Sequence, residues 1–102
     1  MITRGTTPTI VLTVTDFELK DTDVIHLYFS QGNKIRLEKV TPDVRVDSNK
    51  VMVTLTQEDT FKLKKGEEVK MRFRLKTLDG VVFASGEAYD EVDDVDDKDE
   101  VI

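Results

Sequence analysis

In the stretch Val69-Lys70-Met71-Arg72-Phe73-Arg74-Leu75-Lys76, four apolar side chains alternate without a break with four cationic ones. Period two places alternate side chains on opposite faces of a β-strand, here one face for a core and one for water. The same rhythm spreads outward in both directions. Ile10, Leu12 and Val14 alternate with Thr9, Val11, Thr13 and Thr15. Ile25, Leu27 and Phe29 alternate with Val24, His26, Tyr28 and Ser30. Ile35 and Leu37 sit between Lys34, Arg36 and Glu38, and Val44 and Val46 between Asp43, Arg45 and Asp47. Val51, Val53 and Leu55 face away from Met52, Thr54 and Thr56, and Val81 and Phe83 oppose Val82 and Ala84. Seven strands are expected, most of them rich in β-branched or aromatic residues.

The punctuation agrees. Gly32-Asn33 and Asp79-Gly80 accept the positive φ angles of tight hairpin turns, and Asp47-Ser48-Asn49-Lys50 reads as a further turn. Thr41-Pro42 ends the third strand, because proline has no N–H for a ladder. Thr56-Gln57-Glu58-Asp59 interrupts the rhythm as a capping box with Asp in the third position, opening one helical turn from which Phe61 and Leu63 fold back onto the core. Strands this short and this closely spaced predict an all-β chain, a seven-stranded antiparallel immunoglobulin-like β-sandwich, with a small β-barrel as the competing closure. The cysteine pair and tryptophan of antibody domains are missing.

At 102 residues the chain is long enough for one domain and one modest core. No segment approaches the roughly 20 apolar residues of a membrane span, and no apolar run follows Arg4 to make a signal peptide. With no cysteine, disulfides and thiolate metal sites are excluded. The formal charge of −6 is unevenly placed: residues 90–100 hold eight acids and one base, Lys98. The rest of the chain keeps 13 acids against 14 bases of the 21 and 15 present in all. The organisation expected is a β-sandwich domain over residues 1–89 followed by an acidic, flexible tail over residues 90–102, since like charges this dense resist compaction.

Chemistry-bearing residues are sparse. His26 is the only histidine and has no second His or Cys to share a metal. A catalytic histidine would also need a nucleophile and an orienting acid within reach. Ser30, Ser48 and Ser85 lack the Gly-x-Ser-x-Gly setting of a strained nucleophile. Residues 94–100 carry the oxygens of a calcium loop, but neither its glycine nor its spacing. These readings predict no enzyme, no cofactor, no metal and no small-molecule substrate. The most pointed surface feature is the cationic set Lys70, Arg72, Arg74 and Lys76, whose members stand about 6.6–7 Å apart on one strand face. Three readings compete for it: a solvated face paired across strands with Glu and Asp, a receptor for an acidic segment, or a phosphate ladder. That face carries no aromatic residue between the four cations to stack a base, so nucleic acid is disfavoured. The first strand supplies the candidate edge, with Thr9, Val11 and Thr13 on its outward face.

The opening Arg4-Gly5-Thr6-Thr7-Pro8-Thr9-Ile10 leads directly into a strand. With Tyr28-Phe29-Ser30-Gln31-Gly32, Val53-Thr54-Leu55-Thr56-Gln57-Glu58, Leu78-Asp79-Gly80 and Ala84-Ser85, it resembles a group of small proteins encoded among tail and structural genes of phages and prophages of Gram-positive bacteria. More distantly, it is similar to the immunoglobulin-like N-terminal domains of phage baseplate proteins. The resemblance covers most of residues 2–88 and departs at the C-terminus, where an Asp-rich stretch precedes Val101-Ile102. It implies a virion protein assembled in the host cytoplasm, partnered by other tail or structural proteins or by a second copy of itself, with no membrane contact. A host-surface or carbohydrate-binding module is the alternative. A third reading makes the acidic tail a nucleic-acid mimic offered to a basic partner.

Overall fold

The computed structural model describes residues 1–15, 19–20, 23–84 and 86–94. Along the chain run β1 (Ile2–Arg4), β2 (Thr9–Thr13), β3 (Val24–Gln31), β4 (Lys34–Val40), β5 (Val44–Asp47) and β6 (Lys50–Thr54). Then come α1 (Gln57–Phe61), β7 (Val69–Lys76), β8 (Val82–Ala84), β9 (Ala88–Asp90) and β10 (Val92–Asp94). One antiparallel sheet has the order β4-β3-β7-β8, with β9 also paired to β7; a second has the order β2-β6-β5. β1 and β10 form a separate parallel pair. Among the described residues the fold is all-β apart from α1, and no sheet closes into a barrel.

The alternating residues go where the period sends them. Ile25, Leu27 and Phe29 of β3 and Val69, Met71, Phe73 and Leu75 of β7 are buried, as are Val44, Val51, Val53 and Leu55 on the other sheet. All belong to one apolar cluster, so both sheets contribute to a single core. The turns also hold: Gly32 (φ 60°), Ser48 (φ 58°) and Gly80 (φ 85°) take the positive φ that their hairpins demand.

Three short strands were not foreseen. β1, β9 and β10 have three residues each, too few to display a period. The expected boundary between residues 89 and 90 falls inside β9, and Val92 beyond it is buried at 5% exposure. Strand pairing thus continues to Asp94, opposite Arg4. Residues 95–102, and with them most of the expected tail and of the calcium reading, lie outside the described residues, as does Ser85.

Three expected inward residues are corrected: Ile35, Phe83 and Val81, the last 49% exposed immediately before β8. The register of β4 on β3 steps between Phe29 and Ser30: Leu37 opposes Phe29, but Ile35 opposes Ser30, so Arg36 is the extra residue of a β-bulge. One inserted residue flips the next side chain to the other face, and Ile35 emerges on the outer side, 60% exposed. Phe83 keeps the inward register opposite Leu75, yet its short edge strand leaves it 41% exposed.

The capping box forms as read, with Thr56 Oγ1 accepting from Asp59 N at 3.1 Å and Asp59 Oδ2 accepting from Thr56 N at 2.9 Å. The same carboxylate meets Lys39 Nζ of β4 at 2.7 Å in a pair that is largely buried. Burial pushes the Asp59 carboxyl up, but the Lys39 ammonium and the Thr56 N–H and hydroxyl outweigh it and hold the group below its ordinary value. The N-terminal motif locks onto the far end of α1. Arg4 donates to Leu63 O (2.8 Å) and Phe61 O (3.1 Å), and its guanidinium lies 5.5 Å from the Phe61 ring centre. Gly5 sits at φ +79°, where a Cβ would come within 2.9 Å of that ring.

Two outcomes follow for stability. Phe73→Ala empties a core site 2% exposed and lowers unfolding stability by about 3–5 kcal/mol, measurable as a urea midpoint shift; a loss below about 1 kcal/mol would place Phe73 outside the core. Asp59 stabilises the fold fully above its unfolded-state value and ceases to do so as pH falls through its lower folded-state value. Asp59→Asn is therefore expected to cost about 1–3 kcal/mol near neutral pH and progressively less in acid. Melting both proteins between pH 7 and pH 2 checks this, and a gap that stays constant would contradict it.

Candidate functional site

The outer face of the larger sheet is built from β3 and β7. Register puts Arg74 opposite His26, Arg72 opposite Tyr28 and Lys70 opposite Ser30. On the other flank, Lys76 faces Val82, Arg74 faces Ala84 and Lys70 faces Tyr89. All four cations stand on this outer face, Lys70 half-buried and the others exposed, so the structure brings the sequence-predicted stripe together as one row. An open groove of about 640 Å³ runs beside it, lined by Tyr28, Ser30, Ile35, Lys70, Arg72 and Arg74 among others. Ile35 reaches that groove only because of the Arg36 bulge.

The row meets two kinds of partner. Lys70 Nζ lies 3.8 Å from Glu87 Oε1, as cross-strand charge pairing predicts. Arg74 is held by an aromatic instead: its Nε and Nη2 donate to Tyr28 Oη at 3.3 and 2.9 Å, with the guanidinium 5.7 Å from the ring centre. Tyr28 also stacks beside His26 at 6.3 Å between ring centres, and His26 Nδ1 contacts Glu38 Oε1 at 3.0 Å. Tyr89 donates its hydroxyl to Glu87. That bond, with Lys70 and Arg72 nearby, draws the Glu87 carboxyl below its ordinary value and raises the Tyr89 phenol. Sequence reasoning found the cations but not the two tyrosines beside them, because neighbours across a sheet are set by register and not by separation along the chain.

Thr9, Val11 and Thr13 occupy a separate place, at the edge of the smaller sheet. β2 pairs with β6 alone among the described strands. Its ladder includes Leu55 N donating to Pro8 O (2.9 Å) and continues to Val14 N donating to Asn49 O (2.8 Å). In an antiparallel pair the hydrogen-bonded positions alternate. The even-numbered residues therefore bond to β6, and Thr9, Val11 and Thr13 turn their N–H and C=O groups outward. Val11 is also 47% exposed. Across a cleft of about 340 Å³, lined by Val11, Leu12, Phe73 and Ala88 among others, lies the opposing edge made by β8 and β9. That edge is interrupted: the registers of β8 (Ala84 opposite Arg74) and β9 (Ala88 opposite Met71) on β7 differ by one residue.

Among the described residues, no group of three or more His, Cys, Asp or Glu is placed to hold a metal ion, and no helix is long and apolar enough to cross a membrane. Comparison with protein-family models, curated proteins and solved structures finds no match.

The contact between Arg74 and Tyr28 is expected to be selective. A double-mutant cycle of Tyr28→Phe and Arg74→Ala, read by chemical denaturation, should give a coupling of about 0.5–1 kcal/mol, whereas strict additivity would show that the hydroxyl does not hold the guanidinium.

Proposed function

We propose that this chain is a non-enzymatic structural or assembly protein of a phage or prophage tail or baseplate, an immunoglobulin-like β-sandwich that works through protein–protein contacts. The observation that carries the reading is the edge strand β2, which directs three consecutive outward positions, Thr9, Val11 and Thr13, away from β6, its one strand partner among the described residues. An edge in that state is a template for a further strand unless it is blunted, and strand addition is a common way for extended segments to dock. Pro8 limits it at one end, but no lysine or proline blunts it between Thr9 and Thr13.

The sandwich reading is supported by the common core of the two antiparallel sheets. The tail or baseplate setting rests on the resemblance of the turn and strand motifs alone. Assembly inside a host cell before release as part of a virion fits a cysteine-free chain.

The test is a proline at the edge. Val11→Pro removes an outward N–H without breaking the ladder to β6. The expected result is a folded protein, with an unchanged circular dichroism spectrum, that is no longer incorporated when phage particles or their tail subunits are co-purified with it. Full retention of the variant in particles would remove the edge from the mechanism, and absence of the unmodified chain from purified particles would remove the tail reading itself.

A further inference from the structure

We propose that the cationic row on the outer face of β3 and β7 is the docking surface for the acidic segment 96–100 of a second copy of this chain. The proposal rests on the reading of the chain as an assembly module and gives that module a second, electrostatic contact distinct from the β2 edge.

The argument begins with spacing. Lys70, Arg72, Arg74 and Lys76 stand on one face of β7 at roughly 6.6 Å intervals, forming a row about 20 Å long. Residues 96–100 carry four acids, Asp96, Asp97, Asp99 and Glu100, with a single base, Lys98. On one side of an extended segment Asp97 and Asp99 stand at that same interval, matching two neighbouring cations, while Lys98 falls between Asp96 and Glu100 on the other side. Arg74 is prepared for such a partner, because Tyr28 fixes its guanidinium before any ligand arrives and less freedom is lost on binding. Complementary rows of this kind set the register and the rate of association.

The donor is placed on another copy by the path of the chain. β9 runs antiparallel to β7, with Tyr89 opposite Lys70 and Asp90 opposite Val69, so the chain leaves the row at its Lys70 end and heads away from Lys76. It then enters β10, where Asp94 pairs with Arg4. From Asp94 to Glu100 an extended chain spans at most about 20 Å, no more than the row itself. To lie along the row of its own molecule, the segment would have to turn back from the β1–β10 pair against the direction in which β9 leaves the row.

A single-stranded nucleic acid is the competing ligand, since phosphates repeat at a similar interval. One observation favours the acidic peptide: the tyrosines that a nucleic acid would use for stacking are engaged, Tyr28 with His26 and Arg74 and Tyr89 with Glu87.

The experiment is a charge exchange followed by analytical ultracentrifugation of the full-length chain over a concentration series at low salt. One variant carries Arg72→Glu and Arg74→Glu, the other Asp97→Lys and Asp99→Lys; matching thermal melts establish that both fold. The unmodified chain is expected to self-associate and to dissociate when salt is raised to about 0.5 M, where the screening length falls to a few ångströms. Each variant alone should associate at least about tenfold more weakly, and an equimolar mixture of the two should recover association, because the exchanged charges match again. Three results overturn the proposal: a chain that stays monomeric at low salt, variants that associate like the parent, or a mixture with no recovery. Association that survives the charge exchange and disappears in Val11→Pro would also overturn it, while leaving the edge-strand reading intact. A 20-nucleotide oligothymidylate that binds the row and displaces the second copy would reassign the row to nucleic acid.

Discussion

Seven residue pairs join β3 to β7, from Val24 opposite Lys76 to Ser30 opposite Lys70, and the two faces of that antiparallel ladder set the terms for the rest of the molecule. On the inner side, Ile25, Leu27 and Phe29 meet Leu75, Phe73 and Met71 with almost no exposure. That inner side is the floor of the core on which the smaller sheet closes. On the outer side the same register lines up Tyr28, His26 and the cationic row. Because side chains alternate strictly, a slip of one residue would exchange the two sides, driving cations into the core and phenylalanines into water. Register and hydrophobicity therefore protect one another, and the surface proposed for docking is fixed by the packing behind it.

Polar groups secure what the ladder does not reach. Gln31, at the inner end of β3, is 2% exposed; its side chain accepts from Lys64 N at 2.7 Å and donates to Lys64 O at 2.8 Å and Glu67 O at 3.2 Å. A buried amide with partners for both its donor and its acceptor adds specificity instead of a desolvation cost, and here it pins the loop that delivers the chain into β7. Arg4 does the same work from the N-terminus, filling carbonyls at the end of α1 that the helix leaves without internal partners. The Arg4-Gly5 pair of the opening motif thus has a packing reason: the arginine supplies the donors, and the glycine leaves room for Phe61.

How much of this was legible depended on the range of the interaction. β3, β7 and the turns at Gly32, Ser48 and Gly80 were readable because alternation and positive φ are local properties. The capping box was readable for the same reason, since Thr56 and Asp59 are three residues apart. β1, β9 and β10 were not, because Ile2 and Val92 become core residues only by pairing with each other across 90 positions of sequence. Ile35 was assigned to the wrong face because nothing in Lys34-Ile35-Arg36-Leu37 marks the bulge; the step exists only relative to β3. The cationic row was visible as a row, but the tyrosines beside it depended on partners from other strands. The edge character of β2 was expected, whereas the outward direction of Thr9, Val11 and Thr13 required the hydrogen-bond phase of the ladder.

The double engagement of Asp59 carries a consequence for the order of events as the chain folds. A helix of five residues cannot sustain itself in water, since the first turn costs more entropy than its few hydrogen bonds return. Its cap is the same carboxylate that grips Lys39, and Lys39 stands opposite Leu27 in the β3–β4 hairpin. The hairpin can assemble from neighbouring segments, whereas α1 draws on anchors from distant parts of the chain, Lys39 of that hairpin and Arg4 near the N-terminus. The helical turn is therefore expected to form after the strands that hold it.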